Sequence, residues 1–594
     1  MIMRAHMKGF PHLVASLLAA TVCLAGDTIA KKKKLIQYGW GVPDTNELLE
    51  NIREMEKEPF DGITFRIHAT MPDGRRTPEG FSKKRFEESW FSQGYENLRK
   101  VRFEKFTDNF VDLQASPGDM DWFNDKHWEN ACHNVGLFVK AAKIAGCKGV
   151  QFDPELYTRG DKLWAPNALK ANPALFDKYA GQARIRGRQF IDAIGRQMPN
   201  AVILCLHLLS TIPSEILDAP DPRAKLVESG YCLLPSFLNG MLDGIRPGMK
   251  IIDGNEVSYY YDKESDYYRG YHKMRQTVLR LVAPENVYKH QTQVSAGQAM
   301  YLSLRFKSAL PPVEEAAQFE NMVYHALNAS DEYVWVYSER WLWWPKDQRR
   351  LPFGIQEALL NAKDRVAGVD PAQLRDLSQL LREERKGRAH AVVPALAAGT
   401  ALPQLDGDLT DPVWTSAVHI KAFQTPTADP PPARTQAWVA FDRENLYIAF
   451  RCDEPLMAKI ESVGEKHDDP VWRGDSFDVF ISNGPAPWSY HHFIISPDNV
   501  HWDEFRQRSE VVGDFDGQWK SAVKKTADAW QGELALPWRD MGMTAPANGA
   551  ELRANLCRNR KAGVRGKDYS SWSRVARGFL EPGHFGYWAF EARE

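Results

Sequence analysis

From residue 33 to about residue 345, short apolar runs alternate with segments whose apolar positions recur at helical spacing. Lys34–Trp40 (KLIQYGW) predicts a first strand. Pro43-Asp44-Thr45 then caps a helix, to about Lys57, whose Leu48, Leu49, Ile52 and Met55 share one face. Phe60–Ile67 and Phe110–Leu113 predict strands two and three. The spacing of Val135, Phe138, Ala141, Ala142 and Ala145 predicts a helix over Trp128–Ala145, stopped by Gly146, and Lys148–Asp153 follows as strand four. A helix over 172–197 leads to Ala201–Leu208 (AVILCLHL), an apolar run of the kind shown by a strand buried on both faces. Lys250–Asp253, Val287–Gln293 and Glu332–Ser338 predict strands six to eight, with helices over 268–283 and Val313–Leu327 between them. Eight such units over residues 33–360 predict an α/β domain folded as a (β/α)8 barrel. An open doubly wound sheet shares the alternation, but no G-x-G-x-x-G or phosphate-binding loop follows any strand.

The pattern then changes. Residues 361–401 read as a helix and a linker: charge is dense from Arg375 to Arg388, and VVPALAAGTALP follows. Over 402–594 short alternating runs separated by turns predict an all-β sandwich. Trp438–Phe441 and Leu446–Arg451 form a hairpin across Asp442-Arg443-Glu444-Asn445. Ser476–Ile481, His492–Ile495, Gly532–Leu536 and Glu551–Cys557 are further strands.

In a (β/α)8 barrel, function gathers at the C-terminal ends of the strands. There the sequence places Tyr38 and Trp40, Arg66 and His68, Asp153 and Glu155, His207, Asp253 and Glu256, and Gln291 and Gln293. On strand eight, Tyr333, Trp335, Tyr337 and Glu339 share one parity. In GVQFDPE (149–155), strand alternation sets Gln151, Asp153 and Glu155 on one face. An isolated D-x-E is more often a helix cap or an ion-pair partner. At a barrel rim with aromatic company it becomes a candidate acid/base pair. Glu155 is the candidate general acid, and its partner is open between Asp153, Glu256 and Glu339. Trp40, Arg66, His68, His207, Trp335 and Tyr337 are candidate substrate contacts. His68 and His207 with two acids have metal-ligand chemistry, but no spacing demands an ion, and no metal or cofactor is expected there.

Composition adds three constraints. A formal charge of -2 leaves no electrostatic footprint for nucleic acid or an anionic membrane. Nineteen Trp and 20 Tyr suit stacking on sugar rings, as they also suit cores. Residues 1–30 resemble a secretory signal: Arg4 and Lys8 precede the apolar stretch Leu13–Leu24, and Ala25 or Ala30 ends a small-residue cleavage site. Val22 is too large for a good lipobox before Cys23, which disfavours lipoprotein anchoring. No later run approaches the length of a membrane span, so a secreted or periplasmic protein is expected. The seven cysteines are scattered, without C-x-x-C, and are expected mostly as buried thiols.

Six motifs, in order, carry a resemblance to the family 9 carbohydrate-binding module: LDGDLTDPVW (405–414), LYIAF (446–450), WRGDSFDVF (472–480), WQGELALPW (530–538), ANLCR (554–558) and EPGHFG (581–586). The resemblance covers a third of the chain and implies a sugar held between two aromatic platforms. Trp472 matches one, and Phe579 stands near the other, where the family has Trp. Asp475, Asn555 and Arg558 fall where polar contacts are implied, and members of the family can hold calcium. The stretch at 149–155 resembles a reduced chitinase-like strand-four motif, with Gln151 where that family has an acid. Two functions follow as expectations. One is a secreted glycoside hydrolase acting on a polysaccharide or oligosaccharide with an appended sugar-binding module. The other is a secreted carbohydrate-binding protein with an inactive barrel.

Overall fold

Asp44 opens the first helix, Thr45–Met55, through a reciprocal cap. Its carboxylate accepts from the Asn46 and Glu47 amides at 2.8 and 3.1 Å, and Glu47 accepts from the Asp44 amide at 2.9 Å. Leu48, Ile52 and Met55 are buried beneath it. Gly146 ends the helix Asp125–Ala145 in the left-handed conformation at φ +70°, where glycine carries no steric cost. These are the local rules by which the chain builds its barrel. The computed structural model describes residues 33–155, 162–302, 310–339, 341–344, 351–484, 487–507, 510–563 and 568–592. The leader expected over 1–30, and residues 156–157 after the D-x-E stretch, lie outside them. The chain divides into two compact units after Arg375, with residues 310–315 grouped in the second.

The first unit is a (β/α)8 barrel. Its strands are β1 (Lys34–Gly39), β2 (Gly62–Phe65), β3 (Phe110–Gln114), β4 (Gly149–Asp153), β5 (Val202–Cys205), β6 (Lys250–Asp253), β7 (Val294–Ala296 and Gln298–Tyr301) and β8 (Tyr333–Ser338). Each pairs in parallel with its neighbours. The first half of β7 pairs with β6, the second half pairs with β8, and β8 pairs with β1, so the ring closes. Ile36, Tyr38, Phe110, Leu204, Ile252, Ala299, Tyr333 and Trp335 fill its interior.

Strand seven is where the sequence reading is corrected. Val287–Gln293 is a helix, not a strand. The turn Pro284–Asn286 leads into it, and the Asn286 carboxamide donates to Asn239 O at 3.1 Å and Asp243 Oδ1 at 2.7 Å. Gln293 Nε2 donates to Arg246 O and Met249 O, in the chain entering β6. Gln293 and Gln291 therefore precede β7 and are not rim residues. The true strand, VSAGQAMY, has too many small residues to show alternation.

The second unit is a two-sheet β-sandwich. Its strands are β9 (His390–Pro394), β10 (Val418–Ile420), β11 (Thr435–Phe441), β12 (Asn445–Asp453), β13 (Ser476–Ser482), β14 (Ser489–Ile495), β15 (His501–Gln507), β16 (Glu510–Val511), β17 (Lys520–Lys525), β18 (Ala529–Pro537), β19 (Glu551–Arg560), β20 (Asp568–Ser571) and β21 (Gly586–Glu591). Among the described residues one sheet runs β9-β21-β19-β13-β14-β15-β16, with β20 on β19, and the other runs β10-β11-β12-β18-β17. Phe450, Phe477, Trp530, Trp538 and Trp588 pack between them.

The linker expected before residue 402 is in part structure. His390–Pro394 forms β9, parallel to β21, and Val393 is fully buried in the sandwich core. The preceding helix, Leu377–Lys386, is tied down by the Arg385–Glu551 ion pair and by Tyr587 Oη donating to Glu384 at 2.7 Å. A fragment beginning at residue 402 is thus expected to be less stable than one beginning at residue 376 by about 3 kcal/mol. For a domain of this size that is a fall of roughly 6–12 °C in Tm. Calorimetry of both fragments checks it, and equal Tm values would show that helix and β9 contribute nothing. The described cysteines are all free thiols, and all but Cys132 are buried.

Candidate functional site

The C-terminal ends of β3 to β8 bring the acids of the barrel to one rim. Asp153 ends β4, is buried, and accepts from the Glu155 amide at 2.9 Å. That bond turns the chain after the strand. Burial pushes the Asp153 carboxyl well above the usual carboxylate range, and the charges of Glu155, Asp112 and Glu256 push it further. Asp112, one strand over, is also raised by burial, although Arg66 Nε donates to it at 2.8 Å. Gln151 points inward and accepts from Thr64 Oγ1.

Glu256 begins the 3-10 turn Glu256–Tyr260 after β6, and its Oε2 lies 3.1 Å from His207 Nδ1. His207 itself is positioned by Asp253, whose carboxylate accepts from the amides of Leu208 and Ser210 and from the Ser210 hydroxyl. Asp253 is consumed in that role. Tyr231, on the long excursion after β5, packs edge-on to His207 with ring centroids 4.8 Å apart. Burial raises its phenol, and the charges of Glu155, Glu256 and Asp153 add to this, so it stays a proton donor among three acids.

Aromatic rings form the floor and one wall. Tyr337 packs against Tyr38, Tyr259 and Tyr301, with centroids 5.2–5.7 Å apart. Burial raises the Tyr337 phenol, and the Glu339, Glu256 and Asp153 charges do the same, which sets Glu339 on this rim. Trp40 is 59% exposed and lies beside Tyr337. Trp335 is different. It is fully buried and donates from Nε1 to Gly254 O at 2.8 Å. It supports the turn that carries Glu256 and is not a surface for substrate, which corrects its expected role. Arg66 is committed to Asp112 and to Tyr38. His68 sits at the edge, 3.3 Å from Arg76 Nη2. Its pKa is lowered by burial and by Arg76 and Arg66, so the neutral ring accepts from Arg76.

Of the expected barrel residues, the structure thus brings together Asp153, Glu155, Glu256, Glu339, His207, Tyr337 and Trp40. It leaves Trp335 beneath them, and Arg66 and His68 in side contacts. Asp112, Tyr231, Tyr259 and Tyr301 were not among the expected site residues. Asp112 had a signal, its parity on strand three. Tyr231 had none, because 206–233 shows no regular period. Among the described residues no group of three His, Cys, Asp or Glu side chains could hold a metal ion.

The Asp153 environment has a pH signature. Its folded-state pKa lies well above that of a carboxyl in the unfolded chain. The stabilising contribution of the protonated form is therefore complete below that value and is lost as pH rises towards the folded value. Asp153→Asn removes the ionisation, so its stability relative to wild type is expected to improve as pH rises from 4 to 8. Denaturant unfolding at both pH values checks this, and a difference independent of pH would contradict it.

In the sandwich, Trp472 is 43% exposed and meets Trp502 edge-on at 4.9 Å. Phe579 packs on Tyr569 and on the cluster of Phe480, Tyr490 and Phe585. Asp475 is fully buried and accepts from the Glu461 and Lys561 amides. Asn555 is spent on Ser573 and Leu556, and Arg558 on Asp453 O and Glu454. The polar contacts expected of Asp475, Asn555 and Arg558 therefore hold loops, not ligand. A row unnoticed in the sequence stands near Trp472. His492 on β14 lies between Asp478 on β13 at 2.9 Å and Glu504 on β15 at 3.2 Å, and Arg506 pairs with Glu504. Burial lowers the His492 pKa, but its two carboxylate hydrogen bonds win and raise it. Asp478, Phe480, Tyr490, His492 and Trp502 all face away from the core, under Trp472 and Phe579.

The fold and these two sites define a (β/α)8 barrel with carboxylates at its rim joined to a β-sandwich with an aromatic-flanked sheet face. Residues 405–591 match the family model described as carbohydrate family 9 binding domain-like. Among solved structures, the sandwich is similar to a family 9 carbohydrate-binding module from Caldicellulosiruptor kristjanssonii in complex with cellotriose. That match is 14% identical, covers 34% of this chain and 95% of that one, and has a TM-score of 0.27. The barrel is similar to a broad-specificity GH5-4 endoglucanase from Clostridium longisporum, at 8% identity over 58% of this chain and 99% of that one, with a TM-score of 0.35. It is also similar to a 3-keto-D-glucoside 4-epimerase from E. coli, at 13% identity over 56% and 99%, with a TM-score of 0.29. The search of curated proteins gives no match.

Proposed function

We propose that this chain is a secreted glycoside hydrolase. In this reading the barrel cleaves a polysaccharide or oligosaccharide and the family 9-like module holds it. The observation that carries the reading is the gathering of Asp153, Glu155 and Glu256 within one electrostatic neighbourhood at the barrel rim. Glycosidic cleavage needs an acid to protonate the departing oxygen and a second group to meet the positive charge that develops. Glu155 is the acid. Buried Asp153 hydrogen-bonds to its backbone and orients substrate, and Glu256, held by His207, is the second carboxylate. Glu339 is the reserve candidate for that role. Tyr231 and Tyr337 donate hydrogen bonds to sugar hydroxyls, and Trp40 stacks on a ring. Export rests on the leader-like residues 1–30.

The test is a reducing-end assay of wild-type protein against a polysaccharide panel, with Glu155→Gln, Glu256→Gln and Glu339→Gln alongside. Turnover on no glycan, with binding retained, would replace this reading by the carbohydrate-binding one. That second reading draws on the engagement of Glu256 with His207, which leaves fewer free carboxylates at the rim.

A further inference from the structure

On the outer side of the turn that carries Glu256 the barrel has an open groove of about 1090 Å³. Val257 on that turn and Tyr261 directly after it form one wall. The other wall is the helix Glu264–Arg275, which presents Tyr268 and Arg269. The two walls meet closely because residue 270 is glycine. A Cβ there would sit 2.6 Å from Tyr261 Oη and 2.9 Å from Asn255 Nδ2. Asn255 adopts a left-handed backbone, φ +47°, and its Nδ2 donates to Tyr261 Oη at 3.3 Å and to Gln298 Oε1 at 2.8 Å. Strain of this kind persists only where surrounding contacts impose it. Here it fixes Glu256 and the groove wall as one piece.

The lining selects a ligand class. Lys263, Arg269 and Lys273 are balanced by Asp218, Glu264 and Asp266. Such a groove has no net charge to attract a phosphate or a polyanion, and its lining mixes apolar surface with polar side chains. It has dense donors and acceptors, as sugar hydroxyls require, and two phenol rings for the apolar faces of pyranose rings. Tyr268 is 44% exposed, so its ring is open to such a contact.

We propose that this groove is a second carbohydrate-binding site on the barrel, taking a neutral glycan chain beside the rim. It deepens the hydrolase reading and rests on it only for the ligand class. The test uses the full chain carrying Glu155→Gln, to stop turnover, and Trp472→Ala, to weaken the C-terminal module. Migration is followed through native gels containing mixed-linkage β-glucan, xyloglucan, glucomannan or xylan. At least one polymer is expected to retard the protein, and adding Tyr268→Ala with Arg269→Ala weakens that retardation by roughly fivefold. Both side chains are solvent-facing, and an unchanged Tm verifies folding. Retardation indifferent to the pair, or absent from all four gels, overturns the groove. The reducing-end assay on wild type judges the hydrolase reading separately. An inactive protein with groove-dependent retardation sinks the enzyme and keeps the groove, and an active one indifferent to the pair does the reverse.

Discussion

Glu155→Gln is expected to lower kcat by about 10²–10⁴-fold on the polysaccharide that the wild-type chain cleaves, with KM little changed. Gln keeps the shape of the side chain and the fold around it but has no proton to give the departing oxygen. The size of the loss identifies the role. On a substrate whose leaving group departs without protonation, such as an activated aryl glycoside, the same variant should lose far less. A nucleophile would lose activity on both substrates alike. Steady-state kinetics on the two substrates therefore separates Glu155 as acid from Glu155 as nucleophile, and equal losses on both would reverse its assignment with that of Glu256. Glu256→Gln should lose activity on both, because its charge is needed whatever leaves. The His207 contact at 3.1 Å predicts that residue 256 stays in place in the variant, since an amide oxygen can still accept from the ring.

The barrel was legible because most of its strands are apolar runs with helical spacing between them, and because Asp44 and Gly146 punctuate the helices as their chemistry requires. Strand seven was not legible. Its Val-Ser-Ala-Gly-Gln-Ala stretch has little hydrophobic contrast, and the polar Val287–Gln293 before it is held helical by contacts to the chain entering β6. The acids at the rim could be read from parity alone, since Gln151 and Asp153 do project to one side of β4. What parity cannot give is depth. Trp335 and Tyr337 share a face of β8, yet one lies beneath the site and the other lines it. In the sandwich the motifs located the module, but the polar residues they nominated are spent on backbone groups and, for Arg558, on Glu454 as well. The outward row of Asp478, His492 and Glu504 comes from three strands, and only the pairing of those strands brings it together.

Depth also sets the second large effect. Trp335→Ala should destabilise the barrel by about 3–5 kcal/mol, the usual cost of emptying a buried tryptophan site. The side chain is fully buried among Ile36, Tyr38, Ile252 and Tyr259, and its indole N–H satisfies the Gly254 carbonyl. A surface platform for sugar would behave otherwise: its removal would raise KM and leave stability nearly untouched. Urea unfolding gives the first quantity and steady-state kinetics the second. Trp335→Phe sharpens the comparison, because it keeps most of the buried volume and removes only the hydrogen bond to Gly254. That carbonyl lies two residues before Glu256, and a displacement of 1 Å at a reacting group can cost about 10²-fold in rate. Trp335→Phe is therefore expected to lose more in kcat than in KM. A pure KM effect at full stability would return Trp335 to the role of substrate platform and require the floor of the site to open below Tyr337 and Tyr259.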